Sequence, residues 1–231
     1  REEHGDADID LLLDFDLCLY DTQPPAILGI DDEFLVSARL DNLVSCFTGL
    51  AALAGSSPGD ATCVLVYHDH EEVGSVSTGG AQGPFLRDVL RRLYPDPDAL
   101  ARMAGRSLMI SADNAHGVHP NFADKHDPGH QPLLNGGPVI KFNANQRYAT
   151  NSETAALFRN LCIDTGVPVQ TMVMRNDMAC GSTIGPISAA ETGLPVVDVG
   201  IPQWAMHSIR ETAGTRDAHY LYRVLEAFYD A

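Results

Sequence analysis

The sequence predicts an α/β protein in which helices pack on a largely parallel sheet. Short apolar runs typical of buried strands recur along the chain, and stretches with apolar residues at helical spacing separate them. The chain has 231 residues, 45% of them hydrophobic, which is enough to bury a core of its own. The segment 113–136 is too polar and too rich in Pro, Gly and His for either element. Loops of that length in compact domains are usually functional.

The predicted strands follow from alternation or from continuous apolar runs. Residues 9–21 alternate polar and apolar from Leu13 onward, which predicts a half-buried strand. Residues 61–67 form a continuous, β-branched-rich apolar run, as expected of a strand buried on both faces. Further short buried strands are predicted over 107–111, 138–142, 168–174 and 195–199.

The predicted helices are bounded by recognisable start and stop residues. Pro84 suits a first helical turn, Asn151 or Ser152 an N-cap, and Gly55 and Gly166 a helix end. The predicted helices cover 39–54, 84–94, 151–165, 183–192 and 217–229.

Composition excludes several classes of protein. The net charge of −16 would repel phosphates, so we expect no nucleic-acid partner and no anionic membrane surface. No apolar run approaches the length of a membrane span, and the first residues do not form a signal peptide. The five cysteines are scattered and form no CxxC pair, as is typical of reduced thiols. A cytoplasmic protein is the expectation.

The sharpest local feature is the adjacent pair Glu71-Glu72, directly after the predicted strand 61–67. Open α/β sheets place their sites beyond the carboxyl ends of strands. Two neighbouring carboxylates repel each other unless a cation or a proton compensates. One of them could bind a metal while the other takes a proton from a metal-bound water. A solvated acidic turn is the alternative interpretation.

Three more potential metal ligands also lie at the ends of predicted strands or helices. Asp41 begins a predicted helix, Asp113 follows the predicted strand 107–111, and His207 precedes the last helix. An N-cap, a turn residue and a structural histidine are the respective alternatives. Carboxylates and imidazole without thiolates suit a catalytic zinc, manganese or cobalt site better than a structural zinc.

Six segments in this order resemble the aspartyl aminopeptidases of the M18 metallopeptidase family: SARLDN, DHEEVGS, SADNAHGVHPN, GPVIKFNANQRYATN, RNDMACGSTIGPI and AMHSIRE. The resemblance implies a three-layer α/β/α zinc-exopeptidase-like domain with two divalent metal ions, zinc first and manganese or cobalt as alternatives. It implies that Asp41 bridges the ions, that Glu72 and His207 complete one site, and that Asp113 belongs to the other. Glu71 would be the general base for a water, activated by the metals, that attacks the scissile carbonyl. A cis peptide between Asp41 and Asn42 is also implied.

The same resemblance implies removal of Asp or Glu from peptide N-termini, which requires a cation in the specificity pocket. Lys141 is the first candidate, with His119 and Tyr148 beside it, and Arg175 is the second. A solvated lysine and an ion-paired arginine are the alternatives. A two-metal aminopeptidase or deacylase of other specificity, or a non-catalytic assembly fragment, also stays open.

One departure from the family pattern limits what the chain is expected to do. The family has a further metal-binding histidine in an HTDSP-like segment, and nothing in this sequence matches it. We therefore expect a C-terminal portion of a longer homo-oligomeric enzyme. Residues 1–28 would be the last strands of an inserted dimerisation domain or the connection to it, and residues 29–231 part of the catalytic domain. The isolated chain should bind about one metal tightly and be impaired in activity.

Overall fold

The computed structural model describes residues 13–57 and 59–231, which form two open sheets with helices packed against them. The strands of these residues are β1 (Ala26–Leu28), β2 (Phe34–Ser37), β3 (Met109–Ala112), β4 (Ala115–His116), β5 (Val139–Phe142), β6 (Gln170–Val173), β7 (Val196–Gly200), β8 (Pro202–Trp204) and β9 (Glu211–Gly214). The α-helices are α1 (Leu40–Gly55), α2 (Phe85–Leu93), α3 (Pro97–Ala104), α4 (Ser152–Thr165), α5 (Ile184–Thr192) and α6 (Thr215–Asp230). Short 3-10 helices cover Glu71–Val73 and Pro120–Lys125.

The four-stranded sheet confirms the predicted layered α/β architecture. Its order is β3-β7-β5-β6, with β3/β7 and β5/β6 parallel and β5/β7 antiparallel. Val197 and Val199 of β7 pack with Phe158 of α4 and Val224 of α6 on one face. Asp198, between the two valines, meets the start of α5 on the other face. Because side chains alternate across a strand, β7 is covered on both faces and the result is three layers.

The five-stranded sheet was not predicted. Its order is β1-β2-β9-β8-β4, and only β4/β8 is parallel. These strands have two to four residues and lack continuous apolar runs, so their sequences resemble loops. Helix α3 was also missed, although Asp96 caps it by accepting the N–H groups of Asp98 and Ala99.

Two predicted strands are wrong in the part of the chain that the structure describes. Residues 61–67 follow no strand path, and Val64 and Tyr67 are 44% and 49% exposed. Residues 13–21 have no regular structure, and 13–20 are exposed, whereas residues 9–12 lie outside the described residues. Strand-like composition is not sufficient, because a strand also needs a neighbour that accepts and donates its backbone hydrogen bonds.

The remaining helix predictions are confirmed to within two residues. Helix α4 begins at an Asn151 capping box and ends at Gly166, whose φ of 65° is the left-handed conformation that glycine favours. Among the helices of the described residues, none is both long and apolar enough to cross a bilayer.

Candidate metal centre

Four separate segments place the predicted metal ligands at one end of the four-stranded sheet. Asp41 begins α1, Asp113 follows β3, Glu72 lies in the 3-10 helix Glu71–Val73, and His207 lies between β8 and β9. The N–H of Asp113 donates to the carbonyl of Val199 at 2.9 Å. Gly200 permits this approach, since a Cβ there would lie 1.8 Å from the Asp113 carbonyl oxygen. The centre therefore lies beyond the carboxyl ends of the parallel strands β3 and β7, where such sheets bind ligands.

Asp41, Glu72 and His207 form a compact group of donors. The Nε2 atom of His207 lies 2.9 Å from a Glu72 oxygen and 3.2 Å from Asp41 Oδ2. One ligand atom from each of the three lies within 4.8 Å of the others. Donors of a tetrahedral zinc ion stand about 3.3–3.6 Å apart, given metal–ligand bonds of about 2.0–2.2 Å. This spacing suits one cation held by two oxygens and one nitrogen.

Asp41 shows the charge imbalance that a cation would relieve. Its side chain is only 4% exposed, and its Oδ1 atom has no hydrogen-bond partner among the described residues. Burial, followed by the adjacent Asp113 carboxyl group and then Glu72, raises the pKa of Asp41 to about 8. A buried carboxylate with an orphaned oxygen is costly unless a proton or a metal ion binds it. The donors present therefore fit a divalent metal ion.

The backbone here agrees with the implied geometry. The Asp41–Asn42 peptide bond is cis, as the resemblance implied. The Asn42 side chain donates to the Ala112 carbonyl at 2.9 Å, which joins the start of α1 to the end of β3.

Glu71 lies beside the donor group without belonging to it. Burial is the main reason that its pKa is raised to about 7, and Asp113 and Glu72 add to the effect. Lys141 and His207 lower the pKa of Glu71 and so act in the opposite direction. A carboxyl group poised near neutral pH can both accept and return a proton.

Lys141 is fully engaged inside the protein. Its side chain is 2% exposed, and its ammonium donates to Asp113 at 3.3 Å and to the Asn114 carbonyl at 3.1 Å. It also lies 5.2 Å from the centre of the Tyr148 ring, a cation–π distance. The structure therefore brings Lys141 and Tyr148 next to Asp113. Burial, with the neighbouring Cys180, raises the pKa of Tyr148, so its hydroxyl stays protonated.

The other two predicted substrate residues lie in different surroundings. His119 packs against Trp204 and Phe122, with its Nδ1 accepting the N–H of Asn121 at 3.2 Å. Arg175 forms a bidentate pair with Asp177 on the surface, and both line an open cavity of about 880 Å³ to which the three donor residues do not contribute.

Sequence reasoning gave no role to the polar residues that hold these segments together. Asn114 donates to the Leu40 carbonyl at 2.9 Å and to Gln203 at 2.8 Å. Glu211, 1% exposed, accepts the backbone N–H groups of Asp41 and His207. Glu211 stands four residues after His207 in the segment AMHSIRE, which is the one clue that the sequence offered.

Comparison with known proteins relates the chain to one family. Residues 2–229 match the family model described as aminopeptidase I zinc metalloprotease (M18). A relative named probable M18 family aminopeptidase 2, from Pseudomonas aeruginosa strain UCBPP-PA14, is 62% identical over 227 residues, covering 98% of this chain and 52% of the relative. The chain thus spans about half the length of the curated relatives it matches.

Solved structures show the same similarity. A chain in the cryo-EM structure of the Ape4 and Nbr1 complex matches with a TM-score of 0.87 and 40% identity, covering 91% of this chain and 42% of that one. The S. cerevisiae mApe1 dodecamer matches with a TM-score of 0.78 and 30% identity, covering 91% of this chain and 49% of that one.

Proposed function

The chain belongs to the M18 family of zinc metallopeptidases, and on that premise we propose that it carries the metal centre of a two-metal aminopeptidase. The convergence of the Asp41, Glu72 and His207 donors, with Glu71 beside them, carries the proposal. Asp41, Glu72 and His207 would hold one ion, and Asp41 with Asp113 would contribute to a second. Zinc is the first choice because the family is a zinc family, and the oxygen and nitrogen donors suit it.

The roles of the residues follow from their positions. Bound metal ions would polarise the scissile carbonyl and lower the pKa of a nearby water. Glu71 would take a proton from the attacking water as the new carbon–oxygen bond forms. It would then give that proton to the departing amino group as the carbon–nitrogen bond breaks. The raised pKa of Glu71, about 7, supports both transfers near neutral pH.

We propose N-terminal Asp or Glu as the preferred substrate residue, with Lys141 as the recognising cation. Lys141 lies against Asp113, at the edge of the proposed metal centre. Its ammonium would be shared between Asp113 and the substrate carboxylate, with the Tyr148 ring beside it. His119 packs against Trp204 and Phe122 instead, so it is a weaker candidate for contact with the same substrate group. Arg175 is the second candidate, and its pairing with Asp177 on the surface makes it the weaker one.

Activity is tested with the chain alone and with the chain co-expressed with the unmatched half of the P. aeruginosa relative. We expect the chain alone to bind about one zinc ion tightly and to hydrolyse little, because Asp113 and Asp41 are too few ligands for the second ion. Complementation should restore cleavage of Asp- and Glu-peptides, and Glu71→Gln should abolish it while zinc content stays unchanged.

The alternatives give different results in the same assay. Preferred cleavage of Leu- or N-acyl substrates would indicate an aminopeptidase or deacylase of other specificity. A complemented protein that assembles but hydrolyses nothing would indicate an assembly role. Two tightly held metal ions and full turnover in the isolated chain would show that the chain is not impaired.

Assembly and location are also proposals. We propose that the full protein forms a homo-oligomer, supported by the similarity to a structure titled as a dodecamer. Light scattering of the complemented protein tests this. All five cysteines are unpaired, which supports a reducing cytoplasmic compartment.

A further inference from the structure

A buried carboxylate connects two of the proposed metal ligands without taking part in the proposed reaction. Glu211 opens β9 and is 1% exposed. Its Oε2 atom accepts the backbone N–H of Asp41 at 2.9 Å, and its Oε1 atom accepts the backbone N–H of His207 at 2.7 Å. One side chain therefore fixes the backbones of two residues that are far apart in the sequence.

Neither backbone group has a partner in regular structure. The N–H of Asp41 lies at the start of α1, where helix N–H groups have no acceptor within the helix. His207 lies between β8 and β9 in the left-handed conformation, with φ of 65°, which few non-glycine residues adopt. Glu211 thus satisfies one group at a helix start and one in an unusual turn.

We infer that Glu211 is a positioning residue that aligns Asp41 and His207 for metal binding. With both backbones attached to one carboxylate, Asp41 Oδ2 and His207 Nε2 lie 3.2 Å apart, within reach of a single cation. Pre-alignment matters here because the His207 side chain is 62% exposed, so packing does little to fix it. This inference rests on the proposed metal centre.

The role requires a carboxylate rather than any polar group. Two acceptor oxygens are needed for two N–H donors, and an amide has only one oxygen. In the part of the chain that the structure describes, no Lys or Arg forms a salt bridge with Glu211, and its two oxygens accept the two backbone N–H groups instead. In Glu211→Gln, the amide nitrogen would face one of the two N–H groups and release either Asp41 or His207.

Asp217 provides a matched control. It is also completely buried, and its two oxygens accept the backbone N–H groups of Asn135 and Gly137 at 2.5 and 2.8 Å. Asp217→Asn therefore removes the same kind of bond from a loop that carries no proposed ligand. A purely structural role for Glu211 predicts similar consequences for the two variants.

The experiment titrates the 231-residue chain and both variants with Co²⁺, following the visible absorption that reports coordination geometry, and measures unfolding in EDTA. We expect Glu211→Gln to weaken Co²⁺ binding at least tenfold and to change the spectrum, since loss of residues that orient ligands typically costs 10–100-fold in affinity. Asp217→Asn should keep the affinity within about twofold and keep the spectrum, at an equal or larger loss of stability.

Each other outcome overturns a defined part of the inference. Unchanged affinity in Glu211→Gln, or equal loss in both variants, would overturn the role of Glu211 and leave the metal centre standing. Absence of Co²⁺ binding in the parent chain would overturn the metal centre and, with it, the inference.

If Glu211→Gln does not fold, Glu211→Asp replaces it, because the shorter carboxylate cannot reach both N–H groups. If Asp217→Asn does not fold, Asp198→Asn is the control, since Asp198 is equally buried and accepts the Ala149 N–H.

Discussion

Two regions of the molecule differ in how their apolar side chains are covered. The packed sheet region consists of β3, β5, β6 and β7 with α4 and α6, and its Phe158 and Val197 are completely buried. The open segment consists of residues 59–80, in which Val73 and Val76 are 76% and 75% exposed. Both regions contain an apolar run, residues 61–67 in the open segment, so the presence of such a run does not separate them.

The proposed metal centre lies across the boundary between these regions. Asp113 directly follows β3 of the packed side, and Asp41 at the start of α1 is buried beside it; their side chains are 20% and 4% exposed. Glu72 on the open segment is 53% exposed. The proposed ligands are therefore held in position in different ways. Packing holds Asp41 and Asp113, whereas short turns and individual hydrogen bonds hold Glu72.

The largest expected effect tests whether apolar side chains stabilise the packed sheet region more than the open segment. Phe158→Ala should lower the free energy of unfolding by about 3–5 kcal/mol, because it leaves a cavity between α4 and the sheet. Val76→Ala in the open segment should change it by less than about 0.5 kcal/mol, since Val76 is mostly exposed. Urea unfolding measures both. A cost for Val76→Ala comparable with that for Phe158→Ala would show that the open segment is covered in solution.

The second prediction separates binding from stability at the boundary. His207→Ala should weaken zinc binding by on the order of a hundredfold. This magnitude assumes that the free energy of binding typical of structural zinc sites is shared equally among the ligands. The free energy of unfolding in EDTA should change by less than about 0.5 kcal/mol, because the His207 side chain is 62% exposed. Calorimetric titration and urea unfolding give the two values. A large loss of stability without metal would show that His207 is structural.

The same contrast explains what the sequence could predict. Strands β3, β5, β6 and β7 were predicted from their apolar runs, and the structure confirms them because these segments pair with one another. Residues 61–67 carry a stronger run but have no neighbouring strand among the described residues, and a pattern of residue types does not contain that information. Burial can therefore be predicted from the sequence of one segment, whereas strand pairing depends on two segments together.

The candidate site divides in a similar way. Asp41, Glu72 and His207 could be selected because their residue types and order carry chemistry. Glu211 could not, since it acts on backbone N–H groups, which every residue except proline has. Lys141 was selected as the cation of the specificity pocket, and its contacts with Asp113 and the Asn114 carbonyl depend on the fold. Ligand identity was readable from the sequence, but the hydrogen bonds that position the ligands were not.

The third prediction concerns pH. Burial raises the pKa of Asp217 to about 7, although the N–H groups of Asn135 and Gly137 act in the opposite direction. Between its ordinary value of 3.8 and about 7 the folded chain holds this proton and the unfolded chain does not, so stability falls as pH rises through that window. Asp217→Asn removes this dependence.

The advantage of the parent chain over Asp217→Asn should therefore shrink by about 1–3 kcal/mol from pH 5 to pH 8. Urea unfolding at both pH values measures it. Asp60→Asn, at an exposed position of the open segment, is the control. A parent-to-variant difference that does not change with pH would contradict a protonated Asp217 in the packed region.

The smallest effect compares one capping side chain from each region. Asn151→Ala removes the acceptor for the Thr154 N–H at the start of α4 and should lower the free energy of unfolding by about 1 kcal/mol. Ser77→Ala removes the acceptor for the Gly80 N–H and the partner of His70 Nδ1, both at 2.9 Å, in the turn next to Glu71 and Glu72.

Because the open segment contributes little buried apolar contact, Ser77→Ala should change global stability by less than about 0.5 kcal/mol and still speed hydrogen exchange at residues 68–80. In Asn151→Ala, by contrast, exchange should rise throughout the packed sheet region in proportion to the lost stability. Mass spectrometry of exchanged peptides distinguishes the two patterns. If Ser77→Ala raised exchange across the whole chain, the two regions would unfold as one cooperative unit, and that unit would include the turn that carries Glu71 and Glu72.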